Sequence, residues 1–307
     1  MPLLVNGNPI GGVPKSVQEF ISKYPQFKDS AERLKSTPAK KIAPIGLLYI
    51  GQREFGATTP EDENIHVIGS EDATTCHIII LRHTGCGAVC VTHFDGYGSD
   101  KAVKDIMVVM NELCKNKPFG KLEIHIAGGF CDDDKSSEKV SIKTLNAFNN
   151  TSEEIHLETC CICDLNNEVR NGINFPVIYG LAINVKTGDI YRGTFLDHGP
   201  DMPLRSARHF TGTEEVINVY DHRKCQIKLE PITYSTMDEI ELLCRMPDPF
   251  IRQHLSTSPD QEPPHFEASV RAALVQIRDY PDPLKVMYPD GKPRCYCLEK
   301  NGSWTKI

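Results

Sequence analysis

No stretch of the 307 residues approaches the ~18 consecutive apolar residues a membrane span requires. The apolar run Ile78–Leu81 is only strand-sized. The start, Met1 to Gly7, has neither a basic n-region nor a long apolar h-region, so no secretion signal is expected. Pro2 is small, so loss of Met1 would leave an amino-terminal proline; otherwise Pro2 is plain chain start. Basic residues are in deficit, 34 Lys+Arg against 41 Asp+Glu, for a formal charge of −7. That argues against sequence-independent nucleic-acid binding, which needs clustered cations to displace counterions, and against a polybasic membrane surface. Internal repeats and low-complexity tracts are also missing. What remains, 40 % hydrophobic and 24 % charged, is the profile of a globular chain. The length prior of roughly 100–200 residues per domain allows two domains or one elaborated unit. Twelve cysteines are present. Without a secretion signal they read as reduced cytosolic thiols and not as six disulfides.

A helical pattern over residues 15–37 places Val17, Phe20, Ile21 and Tyr24 on one face. The period then shortens. Segments 46–50, 65–68, 76–82 and 88–94 read as strands, residues 104–114 as a helix, and 122–127 as a strand closed by Gly128 and Gly129. A second helix is expected over 136–149, capped by serines, and strands over 155–165, 176–185 and 190–195. Residues 216–220 and 225–229 suggest a further hairpin, a Pro-rich stretch precedes a helix over 265–278, and residues 292–304 read as strands. Strands and helices alternate without βαβ regularity, so an α+β fold is predicted, a layered β-sandwich core with flanking helices. The whole of 1–307 reads as one elaborated domain, with a core of about 40–212 and a C-terminal extension of about 213–307.

Reactive groups concentrate between Ser70 and Gly96, which hold Cys76, Cys86, Cys90, His77, His83 and His93. A zinc-stabilised module using Cys76, His77, Cys86 and Cys90 competes with a Cys/His nucleophilic pair and with plain buried thiols. A hairpin turning over His83–Ala88 sets Cys76 opposite Asp95 and Ile78 opposite His93. Cys76 and His93 then share a face as diagonal neighbours, about 7–8 Å apart at Cβ. His77 and His83 face the other way, so four ligands do not converge; one residue of slip would reverse every face. The polar run Glu71–Thr75 puts Cys76 at a strand entrance, where a thiol can meet substrate and backbone N–H groups can hold an oxyanion. Elsewhere, Gly128-Gly129 reads as a strand-end turn, Asp132–Asp134 as a solvated loop, and Cys160, Cys161, Cys163, Cys295 and Cys297 as packing thiols.

The motif Asp72-Ala73-Thr74-Thr75-Cys76-His77 closely resembles the protein N-terminal asparagine amidohydrolases of vertebrates. So do Gly46–Ile50, Gln52–Glu54, Leu81–Gly85, Thr92-His93, Gly128–Phe130, Phe175–Gly180, Leu255–Pro259 and Pro263–Phe266. The resemblance runs from Met1–Val5 to Trp304–Ile307. It implies Cys76 as nucleophile and a core similar to bacterial deamidases of the chemoreceptor and cytotoxic-necrotizing-factor type. Those pair a cysteine with a downstream histidine, and in the chemoreceptor deamidases a hydroxyl residue lies six before the cysteine, the place Ser70 fills here.

The implied reaction converts an amino-terminal Asn to Asp with release of ammonia, the first step of an N-degron route in cytosol or nucleus. Cys76 as thiolate attacks the amide carbon, and a His93 imidazolium beside the sulfur keeps that thiolate available at neutral pH. Ser70 or a nearby N–H orients the histidine or holds the oxyanion. Asp72, Glu71 and Asp95 are the nearby carboxylates for the substrate α-ammonium, with Asp72 ahead of Asp95 because a carboxylate facing Cys76 disfavours the thiolate. Thr75 is placed with Asp72 and Asp95 in substrate binding. No metal and no cofactor are expected, and the partners are proteins and peptides beginning with Asn, met by a monomer. The alternatives are a non-catalytic zinc module and a deamidase of internal Gln.

Overall fold

The hydrophobic parity of Ile78-Ile79-Ile80-Leu81 is satisfied by covering both faces of one strand. His77–His83 runs through the middle of an eight-stranded sheet, with Ile79 and Leu81 buried on one side and Ile78 and Ile80 on the other. The computed structural model that shows this describes residues 3–116, 119–210, 212, 214–234 and 237–307. The expectations for Met1 and Pro2, and the boundary at residue 213, lie outside the described residues.

Along the large sheet the strands run Ile217–Asn218, Glu54–Thr58, Val89–Phe94, His77–His83, Leu122–Gly128, Ile155–Ile162, Leu3–Val5 and Asn8–Pro9. Its Ile79 face packs under the helices Val17–Lys23, Ser99–Leu113 and Ser136–Asn149 through Phe20, Ile106, Met110 and Phe148. Its Ile78 face meets a five-stranded sheet, ordered Lys40–Ile42, Ile190–Phe195, Leu181–Asn184, Val67–Ser70, Leu47–Tyr49, through Leu48, Ile68, Leu181 and Ile183. A four-stranded sheet of Tyr220–Asp221, Gln226–Leu229, Arg294–Leu298 and Trp304–Lys306 adds Ile227 and Tyr296 to that core. The result is a helix–sheet–sheet layering of the α+β kind.

Several elements differ from expectation for local reasons. The helix over 15–37 is two helices, Val17–Lys23 and Gln26–Ser36, because Pro25 biases Tyr24 away from helical backbone and offers no N–H itself. The helix Ser136–Asn149 has the expected bounds, but its first N–H groups are capped by Asp132, whose two oxygens accept from Ser136 and Ser137 at 2.6 and 2.9 Å. Asp132 is therefore a cap, not a free loop charge. Ile217–Asn218 leaves the expected hairpin and joins the large sheet, parallel to Glu54–Thr58. In the Pro-rich stretch, Pro249 sits in the first turn of the helix Asp248–Leu255, where a missing N–H costs nothing.

The cysteines are not all reduced. Cys86, in the hairpin turn, and Cys114, at the end of the helix Ser99–Leu113, form a disulfide with Cα atoms 5.7 Å apart. The expectation rested on compartment, and sheet parity is blind to a helix end meeting a turn. Cross-linking residues 28 apart removes chain entropy worth about 3.5 kcal/mol in the unfolded state. Adding reductant, or substituting Cys86→Ser, should therefore lower the unfolding free energy read from urea titration by an amount of that order. Coincident transitions with and without reductant would show that the cross-link contributes nothing.

Candidate active site

The polar run after Ser70 ends one strand and turns the chain into another. Asp72 takes a left-handed conformation at φ +62°, and the Ala73 N–H donates to the Tyr179 carbonyl at 3.0 Å. Cys76 follows, immediately before the first paired residue of His77–His83. Its carbonyl accepts from the Gly129 N–H at 3.0 Å. A Cβ on Gly128 would stand 2.2 Å from that same carbonyl, and Gly128 lies at φ +146°. The glycine pair thus lets one backbone approach and fix another at the nucleophile candidate, which is more than a strand-end turn.

Register holds as the hairpin pattern requires: His77 lies opposite Phe94 and Ile78 opposite His93. Cys76 and His93 are therefore diagonal neighbours on the face turned toward the five-stranded sheet. Ser70 reaches them from that sheet, where it ends the strand Val67–Ser70. Its Oγ lies 2.8 Å from His93 Nδ1 in a buried hydrogen bond. The other ring nitrogen, Nε2, is buried without a hydrogen-bond partner among the described residues. Ser70 and His93 thus meet at the seam between two sheets, and Cys76 and His93 both line a cavity of about 630 Å³. Cys76 is 9 % exposed, enough to be met from that cavity.

Burial dominates the electrostatics. It pushes the Cys76 thiol well above its ordinary value, with Asp95 and Glu262 adding to the rise and Arg53 and a Thr75 hydrogen bond opposing it. It pulls His93 down to about 4, against the pull of Asp95, Asp72 and Glu54. Burial thus disfavours the charged form of both the thiol and the imidazole.

The three expected substrate-binding residues all line the cavity, but both of their carboxylates are engaged. Asp95 Oδ2 accepts from Arg53 Nε at 2.6 Å and Gln52 Nε2 at 2.7 Å, and the Tyr97 N–H donates to Oδ1 at 3.1 Å. Burial works against ionising Asp95, but Arg53 holds its carboxyl below the usual range. Asp72 Oδ2 lies 2.7 Å from His265 Nε2, a contact that raises the histidine. Thr75 Oγ1 bonds Thr257 Oγ1 at 3.0 Å. The quartet Cys76, His77, Cys86 and Cys90 is not gathered: Cys76 belongs to the sheet–sheet core, Cys86 and Cys90 to the helix–sheet core.

Thr257 and His265 show where sequence reasoning stopped short. The C-terminal segment supplies Leu255, Thr257, Glu262, His265 and Phe266 to the cavity wall. Arg53, Glu262 and His265 carry no sequence signal that assigns them a role. Lone charged residues in Pro-rich or turn sequence carry no periodicity, and only the resemblance of Gln52–Glu54, Leu255–Pro259 and Pro263–Phe266 touches their surroundings.

The family model described as protein N-terminal asparagine amidohydrolase matches residues 37–306, which take in both the Cys76 strand entrance and the C-terminal wall. The chain belongs to this amidohydrolase family. It is 39 % identical to the protein N-terminal asparagine amidohydrolase of Mus musculus, over 100 % of this chain and 98 % of that protein. Identity to the Homo sapiens protein of the same name is 38 % over the same shares. An Arabidopsis thaliana protein, also so named, is 26 % identical over 84 % of this chain and 80 % of its own length. Among the described residues, this amidohydrolase-family chain has no helix long and apolar enough to cross a membrane.

Proposed function

We propose that this chain hydrolyses the side-chain amide of an amino-terminal Asn in peptides and proteins, giving Asp and ammonia, with Cys76 as nucleophile, His93 as general base and acid, and Ser70 orienting the histidine. One observation carries the residue roles: a buried cysteine opens onto the cavity beside a histidine whose far nitrogen is fixed by a serine, in a chain of this family. With His93 Nδ1–H donating to Ser70 Oγ, Nε2 is free to accept the Cys76 proton. Because burial disfavours the charged form of both groups, that transfer accompanies the attack of Sγ on the amide carbon instead of preceding it. The tetrahedral adduct collapses as His93 returns the proton to nitrogen, the C–N bond breaks, and ammonia leaves a thioester. Water, giving a proton to His93, attacks the thioester carbon; the C–S bond breaks and the thiol regains its proton. Arg53 keeps the Asp95 charge paired, which limits its cost to the developing thiolate.

The layering supports a finer reading of the core as that of the bacterial chemoreceptor-deamidase and cytotoxic-necrotizing-factor type, with residues 1–307 as one elaborated domain. A cytoplasmic or nuclear monomer feeding an N-degron route is the matching cellular reading.

Mass spectrometry of a peptide beginning with Asn should show amide-to-acid conversion at residue one, with none in a peptide carrying internal Gln. Conversion of the internal Gln alone would replace this reading with the deamidase alternative.

A further inference from the structure

Four carboxylates line the cavity: Glu71, Asp72, Asp95 and Glu262. Three have partners of their own. Glu71 bonds His198 Nε2 at 2.7 Å and accepts from the Phe195 N–H at 3.2 Å, Asp72 bonds His265, and Asp95 is held by Arg53 and Gln52. Glu262 differs. Its carboxylate accepts the Ser256 hydroxyl at 2.5 Å, and no cation bonds it among the described residues. The nearby Arg252 is committed elsewhere, its Nε to Glu267 and its Nη1 to the main-chain carbonyls of Pro259 and Glu262 at 3.0 and 3.1 Å.

Those contacts fix the loop that carries Glu262. Gln261 Nε2 donates to the Asn174 carbonyl at 2.7 Å, and Thr257 meets Thr75, the residue before Cys76. A firmly held acid with no cation hydrogen-bonded to it among the described residues therefore stands in the same cavity as the thiol. In an amino-terminal Asn the α-ammonium and the scissile amide sit on adjacent carbons. The group that reads the ammonium must therefore lie within one residue's reach of the nucleophile.

We propose that Glu262 pairs with the substrate α-ammonium and is the residue that confines hydrolysis to an amino-terminal Asn. This rests on the reading of Cys76 as the nucleophile. An internal or acetylated Asn would leave the carboxylate desolvated and without a cation, which is how a site rejects an analogue lacking one polar group. The acid's own environment agrees. Burial raises its carboxyl to about 7, with the Ser256 hydrogen bond and Arg252 opposing and Asp72 and Glu267 adding to the rise. An arriving ammonium supplies the missing cation, and it also offsets a negative charge that raises the Cys76 thiol.

The test compares an Asn-starting peptide with its des-amino analogue, a succinamoyl peptide that keeps the amide and lacks the ammonium. The wild-type chain should prefer the Asn peptide by at least ~10²-fold in kcat/KM. Glu262→Gln should lose most of that factor on the Asn peptide, keep its rate on the analogue, and so collapse the ratio. Glu262→Asp should restore part of the ratio. No discrimination by the wild type, or a full ratio in Glu262→Gln, overturns the proposal while leaving Cys76 chemistry standing. Failure of the wild type to convert either peptide would instead overturn the function on which it rests.

Discussion

Replacing Cys76 by Ala should reduce conversion of an Asn-starting peptide by at least ~10³-fold, because no second group in the site offers a path through a covalent intermediate. The loss should fall on kcat, since the thiol bonds the substrate only during reaction and contributes little to holding it beforehand. Cys76→Ser should be nearly as inactive: a hydroxyl is far harder to ionise than a thiol, and burial here already opposes charge on that atom. His93→Gln should cost about 10²–10⁴-fold by removing the proton carrier. The double variant Cys76→Ala/His93→Gln should be no worse than Cys76→Ala, because residues acting as a unit do not lose rate additively. Steady-state kinetics on the four variants and the parent, with thermal melts to confirm folding, would check this. Activity of Cys76→Ala within tenfold of the parent would remove Cys76 from the nucleophile's place.

That prediction draws on the part of the site the sequence made legible. The pairing of His77 with Phe94 and Ile78 with His93 follows from a turn and strict alternation, two local signals that set the face of every residue between them. Parity also set Cys76 apart from Cys86 and Cys90. Ser70 was placed by resemblance alone, since nothing local says that the strand Val67–Ser70 lies across from Val89–Phe94 in another sheet. The carboxylates show the limit best. Nearness in sequence points to Asp72 and Asp95, yet their charges meet His265 and Arg53 across folds of the chain that no periodicity encodes. Glu262 escaped for the same reason in reverse: it enters from a proline-rich loop whose shape depends on Arg252 and Gln261 gripping main-chain carbonyls. Side-chain to main-chain contacts of this kind leave no spacing pattern. The Cys86–Cys114 bond likewise joins a turn to a helix end.

Glu54 carries the largest expected stability effect, and it ties this frame to the site. It is 1 % exposed, and its carboxylate meets Arg205 twice, Oε1 to Nε at 2.9 Å and Oε2 to Nη2 at 2.5 Å, with the Gly51 N–H donating to Oε2 at 2.8 Å. Arg205 also donates to the carbonyls of Tyr49 and His198, both of which line the cavity, and Arg208 donates to the carbonyl of Arg53. Glu54→Gln should cost about 3–5 kcal/mol, since it leaves the Arg205 guanidinium buried without its counter-charge. Arg205→Met should cost nearly as much by removing both short contacts to the carboxylate, which keeps Arg208 Nη2 at 3.9 Å from Oε1. The double variant Glu54→Gln/Arg205→Met should cost less than the two singles combined, because removing both charges removes the desolvation each imposes alone. The pH dependence has a definite sign. Burial works to raise the Glu54 carboxyl, but the Arg205 charge and hydrogen bonds hold it below its ordinary value. Its contribution is therefore present above the unfolded carboxyl pKa of about 4.3 and is lost as pH falls through the folded value. Urea unfolding of wild type and Glu54→Gln should accordingly differ most near neutral pH and converge as the solution is acidified below about 4. A gap that stayed constant down to acid would mean the ion pair adds nothing, and the 51–54 turn that presents Arg53 to Asp95 would owe its shape to packing alone.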